Sequence, residues 1–139
     1  MHREIRALTT LLNRYLLPMS YNKILFVDDE AIFLELIKDI LADSDYTLFA
    51  TSDTDTALEI LKHEKIDILM TDLKMPKRSG IELAREARLY LPNLQVVLMT
   101  GMLELPDCEE TQNNMLKYHL LSKPFSIDAM VRLLTAITV

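Results

Sequence analysis

Five short runs of apolar residues punctuate the chain: KILFV (23–27), YTLFA (46–50), IDILMT (66–71), QVVLMT (95–100) and YHLLS (118–122). Each has the length of a strand. The stretches 24–27 and 96–99 are continuously apolar, as strands covered on both faces must be. The segments between them carry a helical period. Phe33, Leu36, Ile37, Ile40 and Leu41 follow the i, i+3, i+4, i+7, i+8 rule and predict a first helix. Ala57, Leu58, Ile60 and Leu61 form a second stripe, for which Asp53 is the candidate N-cap. SGIELAREARLYL begins at another candidate cap, Ser79, and stops before Pro92. SIDAMVRLLTAI follows Pro124 with Ser126 as its cap. Segment 104–117 is polar, contains QNN and has few apolar anchors, so only a short helix is expected there.

Strand and helix thus alternate five times, which predicts βαβ units and an α/β domain with a parallel sheet covered by helices on both faces. Residues 1–18 stand outside this alternation. Ile5, Leu8, Leu11, Leu12, Tyr15 and Leu16 could line one side of a helix ending at Pro18. Two readings are open: an N-terminal extension (1–18) that packs on the domain or on a partner, or a natural start at Met19, where MSYNKILFVDDE reads as a complete domain beginning. In both, the domain occupies 19–139.

Composition narrows the function. Lys plus Arg is 15 and Asp plus Glu is 21, a formal charge of −6, which argues against direct nucleic-acid binding. Cys108 is the single cysteine, so there is no intrachain disulfide and no cysteine-based metal site. No apolar run approaches the ~20 residues of a membrane span. The N-terminus lacks the apolar core and cleavage site of a signal peptide. The expectation is a soluble cytoplasmic protein. His2, His63 and His119 are read as ordinary surface or packing residues, not ligands.

The candidate chemistry lies where the strands end. The first strand runs into Asp28 and Asp29, the third into Asp72, the fourth into Thr100 and the fifth into Lys123. In an open α/β sheet, sites form beyond the carboxyl ends of the strands. Two carboxylates ~5 Å apart repel by roughly 3 kcal/mol at an effective dielectric of about 20, and three mutual pairs by about 10 kcal/mol. Either some acids protonate or a cation binds. An oxygen-only set with few carboxylates suits Mg²⁺, which keeps several waters. A lysine opposite would offset more charge and meet an incoming anion. Metal, ammonium, hydroxyl and a carboxylate nucleophile together suit phosphoryl transfer. A nucleotide or flavin site is disfavoured, because Gly80 and Gly101 are the only glycines and none follows the first strand.

The segments VDDE (27–30), TDLKMPKRSG (71–80), VVLMTG (96–101) and SKPF (122–125), in this order, resemble the receiver domain of two-component response regulators. The resemblance covers about 23–137 and is similar to the chemotaxis-type single-domain receivers. It implies a flavodoxin-like, doubly wound five-stranded parallel sheet in the order 2-1-3-4-5. It implies that Asp72 accepts a phosphoryl group as an aspartyl phosphate. Asp29 would ligate Mg²⁺ directly and Asp28 through water, with Asp72 and the backbone carbonyl of Lys74 completing the protein ligands. Thr100 would donate to the phosphoryl group and Lys123 would pair with it, next to a cis Lys123–Pro124 bond. Gly80 falls where the loop after strand three turns into a helix. Glu30 is read as a first-turn helix acid outside the site.

The implied function is a phosphorylation-activated signalling switch. Its partners would be a histidine kinase or phosphotransfer protein, and a downstream effector or a second copy meeting a surface around helix 4, strand 5 and helix 5. Enzymatic activity would extend no further than its own phosphorylation and dephosphorylation. The alternative is a receiver-like interaction module that is not phosphorylated. An aspartyl-phosphate phosphohydrolase is disfavoured, because such enzymes place a second acid two residues after the nucleophile; Lys74 stands there if Asp72 attacks, and Glu30 replaces the usual aspartate if Asp28 attacks. Two departures from the family stand out. Leu120 occupies the aromatic switch position, with Tyr118 and His119 before it, and NNMLKYH replaces the usual Gly-Ala turn.

Overall fold

The computed structural model describes residues 23–101 and 118–138. The expected helix at 104–117, the extension 1–18 and the start at Met19 lie outside the described residues. Among the described residues, five strands and four helices follow in the order β1 (Lys23–Val27), α1 (Ala31–Leu41), β2 (Thr47–Thr51), α2 (Thr54–His63), β3 (Ile68–Asp72), α3 (Gly80–Tyr90), β4 (Gln95–Thr100), β5 (Tyr118–Ser122) and α4 (Ile127–Thr138). All neighbouring strands are parallel, in the order β2-β1-β3-β4-β5. This is the topology the motifs imply.

The sheet separates two cores because side chains alternate along each strand. Ile24, Phe26, Ile68, Met70, Val97 and Met99 point to one face, where Ile37 and Leu41 of α1 and Met130 and Leu134 of α4 cover them. Leu25, Val27, Leu69, Val96 and Leu98 point to the other, against Ala57, Leu58 and Leu61 of α2 and Leu83, Ala84 and Ala87 of α3. Strands with cover on both sides must be apolar throughout, which is why β1 and β4 carry no alternation in the sequence. Burying a side chain such as Phe26 contributes roughly 1.5–3 kcal/mol.

The helix boundaries follow local chemistry. Asp53 accepts from the Thr56 N–H at 3.0 Å, Ser79 from the Glu82 N–H at 3.1 Å and Ser126 from the Ala129 N–H at 3.0 Å. Each satisfies a donor that the first helical turn would leave orphaned. In α1 the buried arc differs from the expected stripe: Leu34 packs on the core beside Phe33 and Ile40, and Leu36 is exposed. The arc centres on Ile37 and Leu41, and Leu36 falls just beyond its rim.

Candidate functional site

Five parallel strands place all their carboxyl ends on one edge of the sheet, and the polar residues gather there. Their backbones are pinned by the ladder as it runs out. Asp28 N–H donates to Thr51 O (3.2 Å), Leu73 N–H to Met99 O (3.0 Å) and Lys123 N–H to Thr100 O (2.7 Å). Asp28, Asp72 and Thr100 are buried, while Asp29 is exposed at the mouth. One carboxylate oxygen from each of Asp28, Asp29 and Asp72 lies within 4.8 Å of the others.

Lys123 closes the site from β5. Its Nζ donates to Asp28 Oδ2 at 2.5 Å and to Asp72 Oδ2 at 3.2 Å, with its side chain only 11% exposed. The other oxygen of Asp28 accepts from the Glu30 N–H at 2.9 Å, so Asp28 both fixes the turn into α1 and holds the lysine. The ammonium also lies 4.2 Å from the centroid of Phe33, and Phe33 contacts Phe125 at 5.8 Å. Sequence reasoning missed this aromatic wall. Its only signal was an aromatic at 33, read there as core. Glu30 needs a correction as well. It precedes α1 rather than sitting in its first turn, and its Oε1 lies 3.7 Å from Lys123 Nζ, at the border of the site.

Three carboxylates and one ammonium leave a formal excess of two negative charges in a partly dehydrated crevice. Burial, and then the charges of Asp28 and Asp29, hold the Asp72 carboxyl above its ordinary value, against the opposing pull of Lys123. Burial pulls the Lys123 ammonium down, but Asp28 and Asp72 together outweigh it and hold it above its ordinary value. It therefore stays charged at neutral pH. The oxygen-only donor set at this spacing fits a small hard cation such as Mg²⁺, which would relieve the excess charge. Lys74 is exposed on the loop after β3.

Gly80 is explained by contact with this site. A Cβ there would stand 2.3 Å from the Asp72 carbonyl oxygen and 3.1 Å from Thr71 Cγ2. Its own N–H donates to Leu73 O at 2.8 Å, so the start of α3 presses directly on the backbone that presents Asp72. The Lys123–Pro124 bond is cis. Leu120, on edge strand β5, is 48% exposed. Neither neighbour substitutes for an aromatic there. Tyr118 stacks under Arg88 (5.5 Å) and His119 bonds Gln95 (3.2 Å), both at the opposite end of β5 from the site. His63 bonds Glu59 O, away from the crevice. Among the described residues, no helix is long and apolar enough to cross a membrane. Cys108 lies outside the described residues.

The sequence signature of the response regulator receiver domain matches residues 24–135. Sporulation initiation phosphotransferase F of Bacillus subtilis is 31% identical over 110 residues, 79% of this chain and 88% of its own length. Transcriptional regulatory protein GlrR of Escherichia coli is 29% identical over 108 residues, 77% of this chain but 24% of its own length. A response regulator receiver domain protein from Clostridium thermocellum superimposes with a TM-score of 0.75 at 28% identity, covering 84% of this chain and 94% of that one.

Proposed function

The chain belongs to the response regulator receiver domain family, and from that premise we propose that it is a phosphorylation-activated switch whose phosphoryl acceptor is Asp72. The observation that carries this reading is a buried carboxylate at the end of β3, bonded to Lys123 and grouped with Asp28 and Asp29. In the proposed reaction, an Asp72 oxygen attacks the phosphorus of a phosphohistidine on a kinase or phosphotransfer protein. The P–N bond breaks, the imidazole leaves, and an aspartyl phosphate remains. Hydrolysis returns Asp72 and inorganic phosphate.

The chain's own groups would act as follows. Lys123, already charged beside Asp72, pairs with a phosphoryl oxygen in exchange for part of its contact with Asp28 and Asp72. The Thr100 hydroxyl, at the end of β4, donates to a second oxygen. Asp29, Asp72 and the Lys74 carbonyl would hold Mg²⁺ directly, with Asp28 acting through water. When bound, the ion supplies neutralisation of the charge on the phosphoryl oxygens. Phosphorylation would then bias the surface around β5 and α4, which meets an effector or a second copy. A relative named as a phosphotransferase supports passage of the group onward to another protein. We place the protein in the cytoplasm, where such kinases have their phosphodonor.

The test is direct. Incubated with Mg²⁺ and acetyl phosphate, the wild type is expected to gain one phosphoryl adduct by intact mass, and Asp72→Asn none. No adduct on the wild type would reject the reading in favour of an interaction module that is not phosphorylated.

A further inference from the structure

The loop joining β3 to α3 (73–79) carries Lys74 and ends at Gly80, against Asp72. Its ends are fixed by Leu73 N–H to Met99 O and by Gly80 N–H to Leu73 O. Between them stands Lys77 at φ 71°, a left-handed conformation that glycine adopts without penalty and lysine does not. Its side chain makes two ion pairs. Lys77 Nζ reaches Asp55 Oδ2 at 3.2 Å and Asp53 Oδ1 at 3.5 Å, both at the start of α2. Arg78 Nη1 donates to Asp55 Oδ1 at 2.6 Å, and Arg78 Nε to Glu86 Oε1 of α3 at 3.3 Å. Asp53 is at the same time the N-cap of α2. Isolated exposed pairs contribute little, but here Asp55 is shared by two cations and Lys77 by two acids, and such networks are the exception.

We propose that this ionic latch, made by Lys77 and Arg78 with Asp53, Asp55 and Glu86, positions the loop that offers the Lys74 carbonyl to Mg²⁺. Lys77, Arg78 and Asp55 are positioning residues: they set metal affinity without touching the metal. The inference rests on the metal reading of Asp28, Asp29 and Asp72.

Lys77→Gly separates the latch from its rivals. It removes a positive charge near a cation site, which alone favours tighter Mg²⁺ binding. The latch predicts the opposite. The flexibility that glycine adds does not depend on salt, and Asp55→Asn, which leaves the loop backbone unchanged, separates it from the latch. Titration calorimetry of MgCl₂ into the full chain at low salt is expected to give about threefold to fivefold weaker binding for Lys77→Gly and for Asp55→Asn, the size that one or two such pairs allow. Lys77→Arg, which keeps the cation, binds as the wild type. Added NaCl narrows the gap between wild type and Lys77→Gly, because the latch is screened. Thermal melts establish that each variant is folded. Equal or tighter binding by Lys77→Gly overturns the latch. Asp29→Asn serves as the control and is expected to abolish binding; wild-type binding by that variant overturns the metal reading and the latch with it.

Discussion

Replacing Asp72 with asparagine is expected to stabilise the metal-free protein, although it removes a hydrogen-bonded, ion-paired residue. At the 4.8 Å limit on the spacing of the three carboxylates, each repulsion amounts to about 3.5 kcal/mol at an effective dielectric of about 20. Asp72 takes part in two of them, roughly 7 kcal/mol together. Its attraction to Lys123 at 3.2 Å returns about 5 kcal/mol on the same scale. The balance is unfavourable by about 2 kcal/mol before any burial cost. Asparagine keeps an acceptor for Lys123 and turns an amide donor toward the remaining acids. The midpoint of thermal unfolding in chelator at pH 7 is expected to rise by roughly 6–10 °C for a domain of this size.

The sign of the pH dependence follows. Asp72 has a raised value in the folded state, so the folded protein binds its proton more tightly than the unfolded one. That contribution to stability is fully present below the unfolded carboxylate value of ~3.9 and is lost as pH rises through the folded value. The advantage of Asp72→Asn should therefore shrink on acidification and grow toward neutrality. Mg²⁺ stabilises the wild type by mass action and should close the gap from the other side. An asparagine variant no more stable than wild type at pH 7 in chelator, or a gap indifferent to pH, would refute the electrostatic account.

Gly80→Ala forces a methyl into the Asp72 carbonyl and is expected to cost about 1–3 kcal/mol in urea unfolding and to slow formation of the phosphoryl adduct; full stability would mean the close approach is not required. Asp29→Ala should weaken Mg²⁺ binding more than Asp28→Ala in calorimetry, while Asp28→Ala should cost more stability. Asp28 is fully buried and also holds Lys123 and the Glu30 N–H, and breaking such a buried pair costs roughly 3–5 kcal/mol. Equal effects on both properties would undo that division of labour. Ile37→Ala, at the centre of the α1 arc and fully buried, should cost about 2–5 kcal/mol without altering the mass adduct of the folded fraction.

The strands and the gathering of Asp28, Asp72, Thr100 and Lys123 were legible because parallel strands put all their carboxyl ends on one edge. A polar residue closing each apolar run therefore identifies that edge without knowledge of strand order. The order itself came from the resemblance. What escaped the sequence was contact across the fold. Glu30 beside Lys123 and Phe33 beneath it depend on the angle at which α1 leaves β1, which no periodicity encodes. Lys77 and Asp55 stand 22 residues apart and meet only once α2 and the β3–α3 loop are side by side. Leu36 was misassigned because an i, i+3, i+4 rule fixes the buried arc only to within one residue at its rim.

The proposed switch stands on an acyl phosphate at one side chain, Asp72. After incubation with acetyl phosphate and Mg²⁺, borohydride reduction converts an aspartyl phosphate to homoserine, and peptide mass spectrometry then locates it. Homoserine is expected in place of Asp72, and none when Mg²⁺ is chelated. Homoserine at Asp28 or Asp29, or none anywhere in the treated wild type, would contradict it.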